Sequence, residues 1–99
     1  MSSKSSQSIA HALEAYTSGF YDRAEKIIEE LHSAKNIDKS AQYFSLMAEH
    51  SFHKKSFKEA EENYKKAIEM YSQKNDKDSL VFIYKRIANL YHVEGKHDE

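Results

Sequence analysis

The 99-residue sequence contains no cysteine and no proline, and glycine occurs only at Gly19 and Gly95. Without cysteine there are no disulfides, no thiolate zinc sites and no cysteine nucleophile, which fits a reducing compartment. Two glycines cannot build a Gly-rich phosphate loop. With no proline beside them, they are also too few for the turns of a β protein. Long apolar runs are missing too: the longest is Leu80-Val81-Phe82-Ile83-Tyr84, far short of a membrane span. Nor does one sign of charge dominate. Lys and Arg number 15 and Asp and Glu 16, interspersed, for a net charge of −1. Nucleic acid and anionic membrane surfaces both select a basic face, so neither is an expected partner. The stretch Met1 to Ser8 is polar and has no apolar h-region, so no signal peptide is expected. The expected location is intracellular, cytoplasmic or nuclear.

What is present is helical periodicity. Five stretches read as helices: Gln7–Ser18, Tyr21–Ala34, Asp38–Lys54, Phe57–Lys74 and Lys77–Glu94. The fourth is the clearest. Ser56-Phe57-Lys58-Glu59 has the pattern of a capping box. Phe57, Ala60, Tyr64, Ala67, Ile68 and Tyr71 then form one apolar stripe. On the far face, Glu61 with Lys65 and Glu62 with Lys66 are i,i+4 pairs in the favoured orientation. The third stretch presents Tyr43, Phe44, Met47, Ala48, Ser51 and Phe52, and the fifth Tyr84, Ile87, Ala88 and Tyr91. The second presents Ala24, Ile27, Ile28 and Leu31, and the first Ile9, Ala12, Leu13 and Tyr16. Short links at Gly19, His53–Ser56 and Gly95 imply antiparallel helix pairs. Lys35–Lys39 and Asn75–Asp78 read as longer connectors from one pair to the next. The polar ends, Met1–Ser6 and Lys96–Glu99, are expected to fray.

The helices repeat. Aligning Ala12, Ala48 and Ala88 sets Tyr16 with Phe52 and His92, Gly19 with Lys55 and Gly95, and Tyr21 with Phe57 and His97. The same register sets Ala24 with Ala60 and Ile28 with Tyr64. Small residues at fixed places let helices approach, and large ones fill the gaps between them.

This pattern resembles the tetratricopeptide repeat. Residues 41–74 carry it most fully, through Phe44, Met47, Ala48, Phe52, Phe57, Ala60, Tyr64 and Ala67. Residues 8–34 are a degenerate copy, with Gly19, Tyr21 and Ala24 in place but Leu31 where a small residue is usual. Residues 80–99 look like the first half of a further repeat, so the expectation is either a fragment of a longer protein or a fifth helix that caps the stack. The resemblance implies a single all-α domain over residues 1–99. Its architecture would be a right-handed α–α superhelix of antiparallel pairs, with about two and a half repeats in five helices. The run Ala48-Glu-His-Ser-Phe-His-Lys-Lys-Ser-Phe-Lys-Glu-Ala60 is also similar to the N-terminal repeats of tetratricopeptide subunits of the anaphase-promoting complex, a ubiquitin ligase acting in the cell cycle. That similarity implies a homodimerising scaffold.

Chemistry finds little support in the residues. His50 and His53 are i,i+3, but zinc needs three or four convergent ligands and no third is evident, so packing or surface roles are expected. No Ser sits beside an ordered base, and the carboxylates alternate with Lys as on a solvated face. The expectation is no enzyme, no cofactor and no metal. Protein partners remain. Ile9, Leu13, Phe20, Tyr21, Ile27 and Leu31 would give the first pair an apolar outer side, and an uncapped apolar end calls for a partner, most simply a second copy. The alternative is a peptide-binding adaptor or co-chaperone module. Lys85, Arg86 and Asn89 of the fifth helix resemble the residues with which some family members clamp a C-terminal carboxylate. The equivalent places are Ile9 and Leu13 in the first helix and Ser45 and Glu49 in the third, so a complete clamp is not expected within this chain.

Overall fold

The computed structural model describes residues 3–34 and 37–95. Among these the chain is all-helical: α1 (Ser3–Ser18), α2 (Tyr21–Ser33), α3 (Ala41–His53), α4 (Phe57–Gln73) and α5 (Lys77–Glu94). Consecutive packing joins α1 to α2, α3 to α4 and α4 to α5, with α1 also against α3, which is compatible with a superhelix of helical hairpins. The first helix starts at Ser3, so Ser3–Ser6 belong to α1. Met1, Ser2, Lys35, Asn36 and Lys96–Glu99, including His97 of the repeat register, lie outside the described residues.

One turn geometry recurs. Gly19, Lys55, Asn75 and Gly95 all take left-handed φ values, of 87°, 65°, 58° and 79°. After the first three, the next residue's N–H donates five residues back: Phe20 to Ala15 O, Ser56 to Ser51 O and Asp76 to Tyr71 O, at 2.8, 2.9 and 3.0 Å. These are Schellman closures, which satisfy the carbonyls left open at a helix end. The α4–α5 link is therefore as tight as the link within a hairpin, not a longer connector. Only the α2–α3 connection is long. The same closure removes the capping box expected at Ser56. Its N–H is already bonded to Ser51 O, so Glu59 has no donor to reach, and the Ser56 side chain makes no cap bond. True side-chain caps occur at Ser40, which accepts from Tyr43 N at 3.2 Å, and at Asp76, which accepts from Ser79 N and from the Ser79 hydroxyl.

Two clusters make the core. In one, Ile9, Ala12, Ala15 and Tyr16 of α1 meet Ala24, Ile28 and Leu31 of α2 and Leu46 of α3. In the other, Ala41 and Ala48 of α3 meet Ala60, Tyr64, Ala67 and Tyr71 of α4 and Ile83, Ile87 and Leu90 of α5. Ala12, Ala24, Ala48 and Ala60 are fully buried, so the aligned alanines do mark close helix crossings. The face expected for α5 needs correction. Ile83, Ile87 and Leu90 point into the core, while Tyr84 and Ala88 are exposed, because α4 covers α5 on one side only. Leu46, fully buried, and Glu49 were missing from the face expected for α3.

Lys55 is the one repeated turn position with a long side chain in the left-handed region, where a Cβ costs about 1–2 kcal/mol. After the extra chain entropy of glycine is subtracted, Lys55→Gly is expected to stabilise the fold by about 0.5–1 kcal/mol. A urea melt should show the midpoint rising with unchanged slope. A midpoint that falls would mean the Lys55 side chain contributes more than its backbone geometry costs.

Candidate functional site

Charge inside the second hairpin is concentrated at Glu49. Its side chain is nearly buried, and three donors from two other helices converge on it. The Tyr64 hydroxyl of α4 donates to Oε2 at 2.7 Å, and Arg86 of α5 donates through Nε to Oε2 at 2.6 Å and through Nη2 to Oε1 at 2.8 Å. The Arg86 guanidinium also lies 5.7 Å from the centroid of the Phe52 ring. Burial is the first cause that pushes the Tyr64 phenol up, and the Glu49 carboxylate beside it adds to the shift. The hydrogen bond to Glu49 likewise holds Arg86 in its charged form. Arg86, expected as a concave-face ligand residue, is thus committed to structure, whereas Lys85 and Asn89 stay exposed.

A second cluster joins the two hairpins. The Tyr16 hydroxyl and His50 Nδ1 are hydrogen-bonded over 3.0 Å. Tyr21 and His53 stack with ring centroids 4.2 Å apart, and Tyr16 lies 6.1 Å from Tyr21 and 6.0 Å from His53. Burial lowers the His50 pKa, helped by Lys54, His32 and His53 and opposed by Glu25. A neutral imidazole can accept from the phenol at Nδ1 or donate to it, according to its tautomer. Burial raises the Tyr16 pKa to about 12, with Glu25 and Glu49 adding to it. His50 and His53 both make contacts within this cluster. Among the described residues no three His, Cys, Asp or Glu side chains gather as metal ligands, and no helix is long and apolar enough to cross a membrane.

The expected contact residues of the first hairpin separate into two groups. Ile9 and Leu31 are core residues, 1% and 4% exposed, and cannot serve as contacts without unpacking α1 from α2. Leu13 and Ile27 are partly buried against the same core. Phe20 is 62% exposed and Tyr21 45%. Phe20 and Ile27 line an open groove of about 460 Å³ between α1 and α2, with His11, Glu14 and Arg23 at its walls. These three polar residues lie off the apolar stripes, so no periodicity reading could pick them out. The backbone from Ser3 onward runs within α1, so that segment does not fold back over the groove.

Two measurements probe these clusters. Glu49→Ala strands a buried phenol and a half-buried guanidinium. The solvent that reaches Arg86 trims the loss to about 2–3 kcal/mol of stability, below the full cost of breaking a buried ion pair. A double-mutant cycle with Arg86→Ala should show coupling, and strict additivity would mean that the clasp carries no energy. For His50 the folded pKa lies below the ordinary value of 6.5. The unfolded chain therefore takes the proton first. His50's contribution is complete above pH 6.5, declines as pH falls through 6.5, and levels off below the folded pKa. His50→Gln, which keeps an acceptor for Tyr16, should flatten stability against pH between about pH 7 and pH 5. Parallel curves for the two proteins would exclude His50 as the source. Compared with family models, curated proteins and solved structures, the chain matches none.

Proposed function

We propose that this chain is a protein–protein interaction scaffold of tetratricopeptide type that self-associates through the outer side of α1 and α2. The observation that carries the reading is Phe20, a large aromatic residue 62% exposed at the rim of an open groove. A stack of helix pairs ordinarily ends in a polar surface, and an apolar end marks a contact. The groove walls hold Glu14 beside Arg23 and His11. A patch with both signs of charge suits a two-fold contact, in which the same surface meets itself. Ile27 lines it with Phe20, Tyr21 is exposed next to Phe20 in the chain, and no catalytic step is part of the proposal. The resemblance of residues 48–60 to N-terminal repeats of anaphase-promoting complex subunit 7 supports the same reading, in which the scaffold would belong to a ubiquitin ligase.

A second reading rests on Lys85 and Asn89, both exposed on α5. A peptide-binding adaptor would use them to hold a C-terminal carboxylate, without Arg86, which Glu49 holds.

Light scattering over a dilution series decides between them. The parent chain, 11.5 kDa, should show twice that mass at high concentration. Phe20→Glu should weaken the dimer at least about tenfold, which is about 1.4 kcal/mol. Phe20 makes little core contact, so the variant should melt like the parent. A parent chain that stays monomeric at every concentration sinks self-association. Carboxylate-terminated peptides that then bind, and lose binding on Lys85→Glu, would favour the adaptor.

A further inference from the structure

The groove between α1 and α2 departs from the internal repeat on both walls. His11 and Glu14 line it from α1, and Phe20, Arg23 and Ile27 from α2. In the register that aligns Ala12 with Ala48, His11 and Glu14 stand where α3 has Met47 and His50. Those two residues of α3 meet the first hairpin: Met47 packs on its core and His50 bonds Tyr16. α1 thus does not reproduce the face on which α3 seats a neighbouring hairpin. Phe20 and Ile27 stand where α4 has Ser56 and Asn63, so apolar side chains replace polar ones. A contact at this groove therefore differs in chemistry from the stacking that joins the two hairpins.

Glu14 and Arg23 are both exposed and stand on opposite walls. Each lies about one helical turn from the link at Gly19, so the two sit at about the same height along the groove. No ion pair among the described residues engages either of them. A second copy brings the same two charges at the same spacing. With a two-fold axis running along the groove, α1 of each copy lies over α2 of the other, and Glu14 meets the partner's Arg23 on both sides of the axis. With the axis running across the groove, α1 lies over α1 and α2 over α2, so like charges face each other on both walls. Like charges opposed at a contact weaken it, so charge favours the axis along the groove.

We propose that two copies of this chain pair along the α1–α2 groove, with Glu14 of each in an ion pair with the partner's Arg23 and Phe20 of each set against α1 of the other. This pairing rests on the self-association proposed above and fixes its axis and its contacts. An exposed ion pair adds little affinity by itself, and two like charges held together remove much more. The two pairs thus select the orientation, while the apolar side chains between them supply the attraction.

Charge reversal tests the pairing on the intact chain, by light scattering over a dilution series. Glu14→Arg sets arginine against arginine, and Arg23→Glu sets glutamate against glutamate, twice in each dimer. Each variant should raise the dimer Kd at least about tenfold, and by less at high salt than at low. Mixed one to one, the two variants regain both opposite-sign contacts, so the mixture should dimerise close to the parent's Kd. The double variant, with both reversals in one chain, should do the same. Both positions are exposed, and an unchanged thermal melt of each variant separates loss of the dimer from loss of the fold. A mixture that dimerises no better than either variant alone would overturn the pairing. So would reversals that leave intact a dimer that Phe20→Glu still dissociates, a result under which self-association at this groove stands. A parent chain that is monomeric at every concentration would overturn the pairing together with the reading on which it rests.

Discussion

Everything in the second half of the chain depends on the burial of Glu49. A carboxylate taken out of water is costly unless it is paired and hydrogen-bonded. Here the pairing comes from two helices at once, Tyr64 on α4 and Arg86 on α5. The first hairpin solves the same place differently: the positions of Glu49 and Tyr64 are held there by Leu13 and Ile28, an apolar pair. That pair accepts any apolar neighbour. Glu49 and Tyr64 accept only a helix that brings a cation to the same spot, because without Arg86 the carboxylate is buried with a single neutral donor. The clasp thus selects which helix packs next, a use of buried charge that rests on specificity more than on net stability.

The hairpins are joined by different means. α3 carries Ala41 and Ala48 on the side facing α4 and Leu46, with Tyr43 and Met47, on the side facing the first hairpin. The Tyr16–His50 bond and the Tyr21–His53 stack lie at that junction. Polar contact there depends on the protonation of one imidazole, whereas the α3–α4–α5 unit is tied by the Glu49–Arg86 ion pair.

Local patterns were legible and distant ones were not. The alanines at 12, 24, 48 and 60 recur at fixed spacing, and each lies at a helix crossing. Glu49 reads as one more carboxylate on a Lys-rich helical surface. Its partners stand 15 and 37 residues away, beyond any window in which side chains can be compared along a helix. Leu46 lies off the stripe assigned to α3 because a helix between two hairpins needs two apolar faces, and a single-stripe reading finds one. Ser56 and Glu59 have the residue types of a capping box, but the left-handed turn at Lys55 had already committed the Ser56 N–H. Tyr84 and Ala88 were assigned to the core by analogy with Phe44 and Ala48. The analogy of position holds, and what differs is that no helix among the described residues covers Tyr84 and Ala88. Of the contact residues expected at the first hairpin, Phe20 and Tyr21 are exposed, while Ile9 and Leu31 were drawn inward by the same apolarity that nominated them.

The two uncovered surfaces differ in what they imply for assembly. A two-fold contact at the α1–α2 groove closes on itself and stops at two chains. A head-to-tail contact between the groove and the α5 face would instead propagate into open filaments. Charge argues against that second arrangement. Arg23 at the groove would face Lys85 of α5, like charge against like.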